Sequence, residues 1–132
     1  MMITAQYQEA LTSGGVLKVM PSNWYIEYRF KPSTPPEDEV VVRLNGTEIE
    51  DYQFAWENNF KRYLELKEFV PPQGSFRVEG LKGMMIRIRE DQEGVCLTAG
   101  EMPIQTQEAL NQVIADYQYA KEMAIKMQQL LF

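Results

Sequence analysis

The stretch from Phe76 to Glu90 alternates apolar and polar residues on both sides of a short glycine-containing loop. If the loop is Leu81-Lys82-Gly83, Val78 lies opposite Ile86, and the apolar side chains of both strands share one face. A loop that is one residue shorter or longer would place arginines on the apolar face, so the hydrophobic pattern is not compatible with that register. The spacing therefore predicts a β-hairpin, and with it an antiparallel sheet, in this part of the chain.

The polar face of this hairpin carries an arrangement that needs a counter-ion. Arg77 lies opposite Arg87 in the predicted register, and like charges that face each other across two strands repel. Either acidic residues of this chain lie among the arginines, or the face binds a phosphate, a carboxylate or an acidic partner. The planar guanidinium suits bidentate contact with such groups. The residues of this hypothetical anion site are Arg77, Arg87, Arg89 and Thr98.

A third strand is predicted after a four-residue turn at residues 91–94. This connection sets Ile88 opposite Leu97 on the buried face and Arg89 near Cys96 on the other face. Cys96 is the single cysteine, which excludes an internal disulfide. Within a strand we interpret it as a packing residue rather than a nucleophile.

The N-terminal region predicts a helix followed by two strands. Apolar residues between Ile3 and Leu11 follow helical spacing, and the segment Ser13-Gly14-Gly15 is expected to end that helix. Residues 16–20 predict a short strand. Residues 24–31 alternate cleanly between apolar and polar side chains, which is typical of a half-buried strand.

Asn45-Gly46 lies between two β-prone runs and predicts a two-residue hairpin turn. Such turns require positive φ at both central positions, and asparagine and glycine tolerate that conformation best. The turn would set Val42 opposite Ile49, so that an apolar pair occupies one face of the hairpin.

Residues 52–69 match two different patterns. As a helix, the segment places its aromatic and aliphatic residues on one face. As strands, it would turn at Asn58-Asn59. The helical pattern has more matches over a longer window, Asp51 suits its start, and Pro71-Pro72 suits its end, so we favour the helix.

The longest pattern lies at the carboxyl end, where residues 103–131 predict one amphipathic helix with Pro103 in its first turn. Such a helix would be about 43 Å long. A sphere of this chain's size is about 36 Å across, so the helix either overhangs the domain or bends over its own sheet. Because its last turns are apolar, we favour the overhang and expect a second copy of the chain to cover the protruding end of the helix. The predicted interface residues are Tyr117, Ala120, Ala124, Met127 and Leu131.

Together these elements predict an α+β fold. It consists of antiparallel β-hairpins and a meander packed against helices, with a long C-terminal amphipathic helix. At 132 residues the chain has the size of one domain, and we expect residues 1–132 to form it.

The composition argues against several classes of chemistry. The chain has no histidine, so the commonest general base and metal ligand is missing, and we expect no catalytic site, metal or cofactor. The 19 acidic and 13 basic residues give a net charge of −6, which argues against direct nucleic-acid binding. Neither a signal-peptide pattern nor a membrane-spanning apolar run is present, so we expect a cytoplasmic protein.

Three functions stay open at this point. We favour a non-enzymatic interaction or regulatory protein, of the adaptor or inhibitor type, that acts on a protein partner as a homodimer. The alternative is a small-molecule binding module that holds a nucleotide or another anionic metabolite on the arginine-lined sheet face. An enzyme is the least supported, because it would need carboxylate, lysine or tyrosine chemistry for which the sequence shows no motif.

Overall fold

The structure, a computed structural model, describes residues 6–30, 39–97 and 102–132. Seven strands and two α-helices follow one another in these segments. They are β1 (Tyr7–Ala10), β2 (Val16–Val19), β3 (Trp24–Phe30), β4 (Val40–Asn45), α1 (Ile49–Phe69), β5 (Phe76–Glu79), β6 (Met85–Ile88), β7 (Gly94–Cys96) and α2 (Gln107–Leu131).

The strands form two antiparallel sheets. The first sheet has the order β1-β2-β3-β4, and the second has the order β5-β6-β7. Helix α1 packs against α2, β6 and β7, and α2 also packs against β2. The predicted α+β class, with antiparallel sheets and a long C-terminal helix, is confirmed.

Both sheets and both helices contribute side chains to one hydrophobic core. In the first sheet, Ile26 and Tyr28 of β3 point into this core. Because side chains alternate along a strand, the residue between them, Glu27, points to the opposite, outer face of the sheet. The largest fully buried side chains include Trp56, Tyr28, Tyr63, Tyr117, Leu17 and Ile86.

Residues 52–69 lie within α1, so the helical alternative is confirmed and the strand alternative is wrong. Acidic residues occupy the first turn of the helix and Lys67 lies in its last turn, where each charge is favourable for the helix dipole. The helix ends where Val70 adopts an extended conformation before Pro71-Pro72, as the proline sequence predicts.

The predicted hairpin turn at Asn45-Gly46 is wrong. Asn45 has a φ of −62°, and its Oδ1 accepts the backbone N–H of Thr47 at 3.1 Å, so it begins a 3₁₀ turn that leads directly into α1. Strand β4 pairs instead with β3, where Val42 lies opposite Tyr28. The pairing with β3 extends over the whole of β4 and therefore outweighs the local preference for a hairpin turn.

The helix expected between Ile3 and Leu11 is wrong for the described part, because Tyr7–Ala10 is a strand. Gly14, with a φ of +100°, turns the chain back instead of ending a helix. The backbone N–H of Leu11 donates to the carbonyl of Gly15 at 2.8 Å and closes the β1–β2 hairpin. Such a short run of residues fits the helical period as well as the strand period, so spacing alone could not separate them.

The β5–β6 hairpin has the predicted register. Val78 lies opposite Ile86 and Arg77 opposite Arg87, and the loop is Leu81–Gly83 with Gly83 at a φ of +72°. The hydrophobic alternation therefore determined this register correctly.

The predicted β6–β7 register is wrong, because Ile86 lies opposite Val95 and Arg87 opposite Gly94. Gly94 belongs to the strand, and the connection runs through residues 89–93 instead of 91–94. Arg89 in this connection has a φ of 54°, a left-handed conformation that ends β6 before the predicted pairing can form.

Helix α2 begins at Gln107, later than the predicted residue 103. Ile104 pairs with Val95 through two backbone hydrogen bonds of 3.0 and 2.8 Å, so this segment still belongs to the second sheet. Thr106 then caps the helix, since its Oγ1 accepts the N–H of Ala109 at 3.1 Å.

Candidate functional site

The predicted arginine face of the second sheet brings Arg77 and Arg87 directly opposite each other. Nε of Arg77 donates to Glu90 at 2.9 Å, and Nη1 of Arg87 donates to the carbonyl of Asp91 at 3.2 Å. Nε of Arg87 is buried and has no hydrogen-bond acceptor among the described residues. A glutamate of the chain thus lies beside the pair, while one guanidinium nitrogen still lacks an acceptor.

Arg89 lies apart from that pair. Its guanidinium donates to the carbonyls of Pro71 at 2.8 Å and Lys67 at 3.4 Å, at the carboxyl end of α1. A cation is favourable there because the last carbonyls of a helix lack intrahelical donors. The structure therefore separates Arg89 from the other two arginines, and Thr98 lies outside the described residues.

Cys96 is fully buried in β7, opposite Met85. Its Sγ donates to the carbonyl of Gln92 at 3.0 Å. The thiol thus lies in the interior of the second sheet, as expected of a packing residue.

The predicted interface residues on α2 fall into two groups. Tyr117, Ala120 and Ala124 are buried in the core of the chain itself and present no surface to a second copy. Met127 is partly buried and packs on the same core, whereas Leu131 is 50% exposed. Of the five, Leu131 alone is largely exposed.

The last turns of α2 carry exposed apolar side chains that we call the terminal apolar patch. It consists of Ile125, Leu130, Leu131 and Phe132, which are 48%, 68%, 50% and 40% exposed. Gln128 anchors this end, because its Nε2 donates to the carbonyls of Met20 at 3.0 Å and Asn23 at 3.4 Å in the β2–β3 turn.

The outer face of the first sheet carries a group of charges that we call the basic cluster: Lys18, Arg29 and Arg43 around Glu27. The Glu27 side chain is only 2% exposed, and it accepts from Lys18 Nζ at 3.1 Å, Arg29 Nε at 2.8 Å and Arg43 Nε at 3.1 Å. Burial by itself raises the pKa of Glu27, but these hydrogen bonds outweigh it and lower the pKa to about 2.

The two arginines of the basic cluster keep part of their hydrogen-bonding capacity. Both bind Glu27 through Nε, and their side chains are 51% and 62% exposed. Nη1 of Arg29 makes a long contact of 3.5 Å to Glu39, and the Nη groups of Arg43 have no acceptor among the described residues. The guanidinium of Arg43 also lies 5.6 Å from the ring centre of Tyr25.

The basic cluster was not predicted from the sequence. The alternation of β3 correctly places Glu27 and Arg29 on one face, but Lys18 and Arg43 come from β2 and β4. Their positions depend on two strand registers, with Lys18 opposite Tyr25 and Arg43 opposite Glu27. The incorrect hairpin at Asn45-Gly46 had paired this strand with the residues after the turn instead of with β3.

A second buried carboxylate lies where the β1–β2 turn meets α2. Asp116 is 5% exposed and accepts the backbone N–H of Ser13 at 2.6 Å and Nε2 of Gln112 at 3.1 Å. Ser13 Oγ also shares a hydrogen bond of 2.8 Å with the hydroxyl of Tyr28. Burial is the main cause that raises the pKa of Tyr28 to about 12. These contacts connect a turn to a helix, so we interpret this carboxylate as structural.

Among the described residues, no group of three or more acidic or cysteine side chains has an arrangement that could hold a metal ion. The two helices in the same part of the chain are too polar for either to cross a membrane. Comparisons with protein-family models, with curated proteins and with solved structures each gave no match.

Proposed function

We propose that this chain is a non-enzymatic protein-interaction module of the adaptor or inhibitor type, and that it acts as a homodimer. The terminal apolar patch carries this proposal. Large apolar side chains that stay in water are unfavourable for a chain by itself, and several of them at one end of a helix favour a protein-binding surface there.

A second copy of the chain is the occupant that we favour for this patch. Symmetric pairs are the commonest oligomers, and a two-fold axis near the end of α2 would bring Leu130 and Leu131 of both copies together. The buried residues Tyr117, Ala120 and Ala124 are not part of this revised surface. The proposed interface is therefore shorter than the one expected from the sequence and lies at the end of the helix.

Sedimentation equilibrium tests the self-association. We expect the natural chain to have the mass of a dimer and the variant Leu130→Glu with Leu131→Glu to have the mass of a monomer. Asn111→Glu with Gln118→Glu is the matched control, because it adds the same charge at exposed positions of the same helix. The proposal fails if the natural chain is a monomer, or if the leucine variant stays a dimer.

A second candidate function is the binding of an anionic metabolite to the second sheet. It rests on the buried Nε of Arg87, which has no acceptor among the residues that the structure describes. A phosphate oxygen would supply one if the side chains that cover this nitrogen move aside. Isothermal titration calorimetry with ADP as the probe would show binding that Arg87→Ala abolishes. The control Arg62→Ala, which changes an exposed residue on α1, would leave the binding unchanged. Equal heats for the two variants would contradict this candidate.

A further inference from the structure

We infer that the outer face of the first sheet, at the basic cluster, is a docking site for an acidic segment of a partner protein. The inference rests on the proposed function for the existence of a protein partner, but not on self-association. The cluster lies on three neighbouring strands, with Lys18 on β2, Arg29 on β3 and Arg43 on β4.

The charge of the cluster points to an anionic occupant. Counted over the described residues, three cations surround one buried carboxylate, so their local charge is +2, or +1 when Glu39 is included. The chain as a whole carries −6. The cluster is therefore a positive patch on a protein whose net charge is negative. At such a surface, complementary charge orients and selects the partner.

The geometry of Glu27 explains how the cluster can bind a second anion. A buried carboxylate that took the terminal nitrogens of both arginines would leave them little capacity for a ligand. Here Glu27 accepts from Nε of Arg29 and of Arg43, so the outer Nη groups of Arg43 remain available as far as residues 6–30, 39–97 and 102–132 are concerned. Glu27 thus holds the cations together, and its low pKa keeps it ionised over the whole physiological range.

The shape of the surface favours a protein segment over a small metabolite. Metabolite sites are enclosed pockets, whereas Arg29 and Arg43 are half-exposed on an open sheet face. A depression of about 410 Å³ continues from Arg43 and Tyr25 to Trp24, Asn23, Asn45 and Thr47. An extended segment can place carboxylates on the cations and a neutral polar side chain among these amide and hydroxyl groups.

A nucleic acid fits the same surface less well. Binding to a polyphosphate backbone depends on many cationic contacts along a basic face. The cluster provides three cations, one of which already has a long contact with Glu39, on a chain whose net charge is negative. Fewer, well-placed carboxylates match this number of donors.

Fluorescence anisotropy on the full chain tests the inference. The probe is a fluorescein-labelled dodecapeptide of alternating glutamate and serine, titrated at low ionic strength. We expect saturable binding that weakens about tenfold in Arg29→Gln with Arg43→Gln, the loss that two half-exposed charged contacts give together. The glutamine amide can still donate to Glu27, so the fold is preserved. Circular dichroism checks that the double variant is folded. If the double variant unfolds, Arg43→Gln alone replaces it, with an expected loss of affinity of about threefold.

Lys61→Gln with Arg62→Gln is the control, because it removes the same charge from the exposed side of α1 and should leave the affinity unchanged. Absent binding, or equal weakening in both double variants, would overturn the docking site. Displacement of the peptide by millimolar inorganic phosphate would indicate a small-anion site instead. Tighter binding of a labelled oligothymidine would indicate a nucleic-acid site. Neither result depends on the oligomeric state, which the sedimentation experiment measures separately.

Discussion

The backbone N–H of Ser13 donates to the carboxylate of Asp116 at 2.6 Å and thereby joins the β1–β2 turn to the middle of α2. Asp116 is buried and Ser13 is partly buried, so the bond gives the carboxylate a donor in a place where water has little access. This contact fixes the edge of the first sheet against the helix that covers it.

We predict that Asp116→Ala destabilises the chain by about 2–3 kcal/mol, since it removes a charged acceptor and leaves the Ser13 N–H unpaired. Asp116→Asn keeps an acceptor and should cost about half as much. Urea unfolding measures both, and hydrogen exchange at the Ser13 amide should accelerate in the alanine variant. Gln118→Ala, on the exposed side of α2, should change stability by less than about 0.5 kcal/mol. A loss of similar size at position 118 would contradict a specific role for Asp116.

Glu27 should make stability depend on pH in the acid range. Its pKa is about 2 in the folded chain and 4.5 without the fold, so its contribution is fully present above pH 4.5. As the pH falls from 4.5 to 2, the unfolded chain takes up the proton first and the contribution is lost. The shift corresponds to about 3 kcal/mol as an upper limit, and we expect about 1–2 kcal/mol because the arginine partners are half-exposed.

Urea unfolding of the natural chain and Glu27→Gln at several pH values measures this effect. The natural chain should be more stable at pH 7, and the difference should shrink steadily between pH 4.5 and 2. Glu122→Gln, an exposed carboxylate on α2, should show no such convergence. A difference that stays constant down to pH 2 would refute the role assigned to Glu27.

Gly46 is required because the chain passes close to Trp24 at this position. A Cβ at residue 46 would lie within 3.0 Å of the indole ring, so the ring or the 3₁₀ turn would have to move. We predict that Gly46→Ala costs about 1–3 kcal/mol and shifts the tryptophan emission. Gly83→Ala is a useful comparison, since a Cβ there meets no atom within 4 Å and only the positive φ opposes it. It should lower stability without changing the emission, and an emission change in both variants would argue against a clash with Trp24.

Part of the fold follows from periodicity over segments that are long or sharply alternating. The β5–β6 register, the strand Trp24–Phe30 and both helices were predicted because one face of each must be buried, and a shift of one residue would expose it. The opposition of Arg77 and Arg87 followed from the same register. A local pattern is sufficient to predict an element when only one arrangement of that segment buries its apolar face.

The remaining features depend on contacts between residues that are distant in sequence. The alternation of the sequence alone determined that Glu27 and Arg29 share the outer face of β3. Only the tertiary structure decided that Lys18 and Arg43 join them, because the pairing of β2, β3 and β4 sets which side chains are neighbours. Likewise, the sequence determined that α2 is long and apolar along one stripe. Only the tertiary structure decided which part of the stripe is buried, since the core takes up Tyr117, Ala120 and Ala124 and leaves Leu130 and Leu131 exposed.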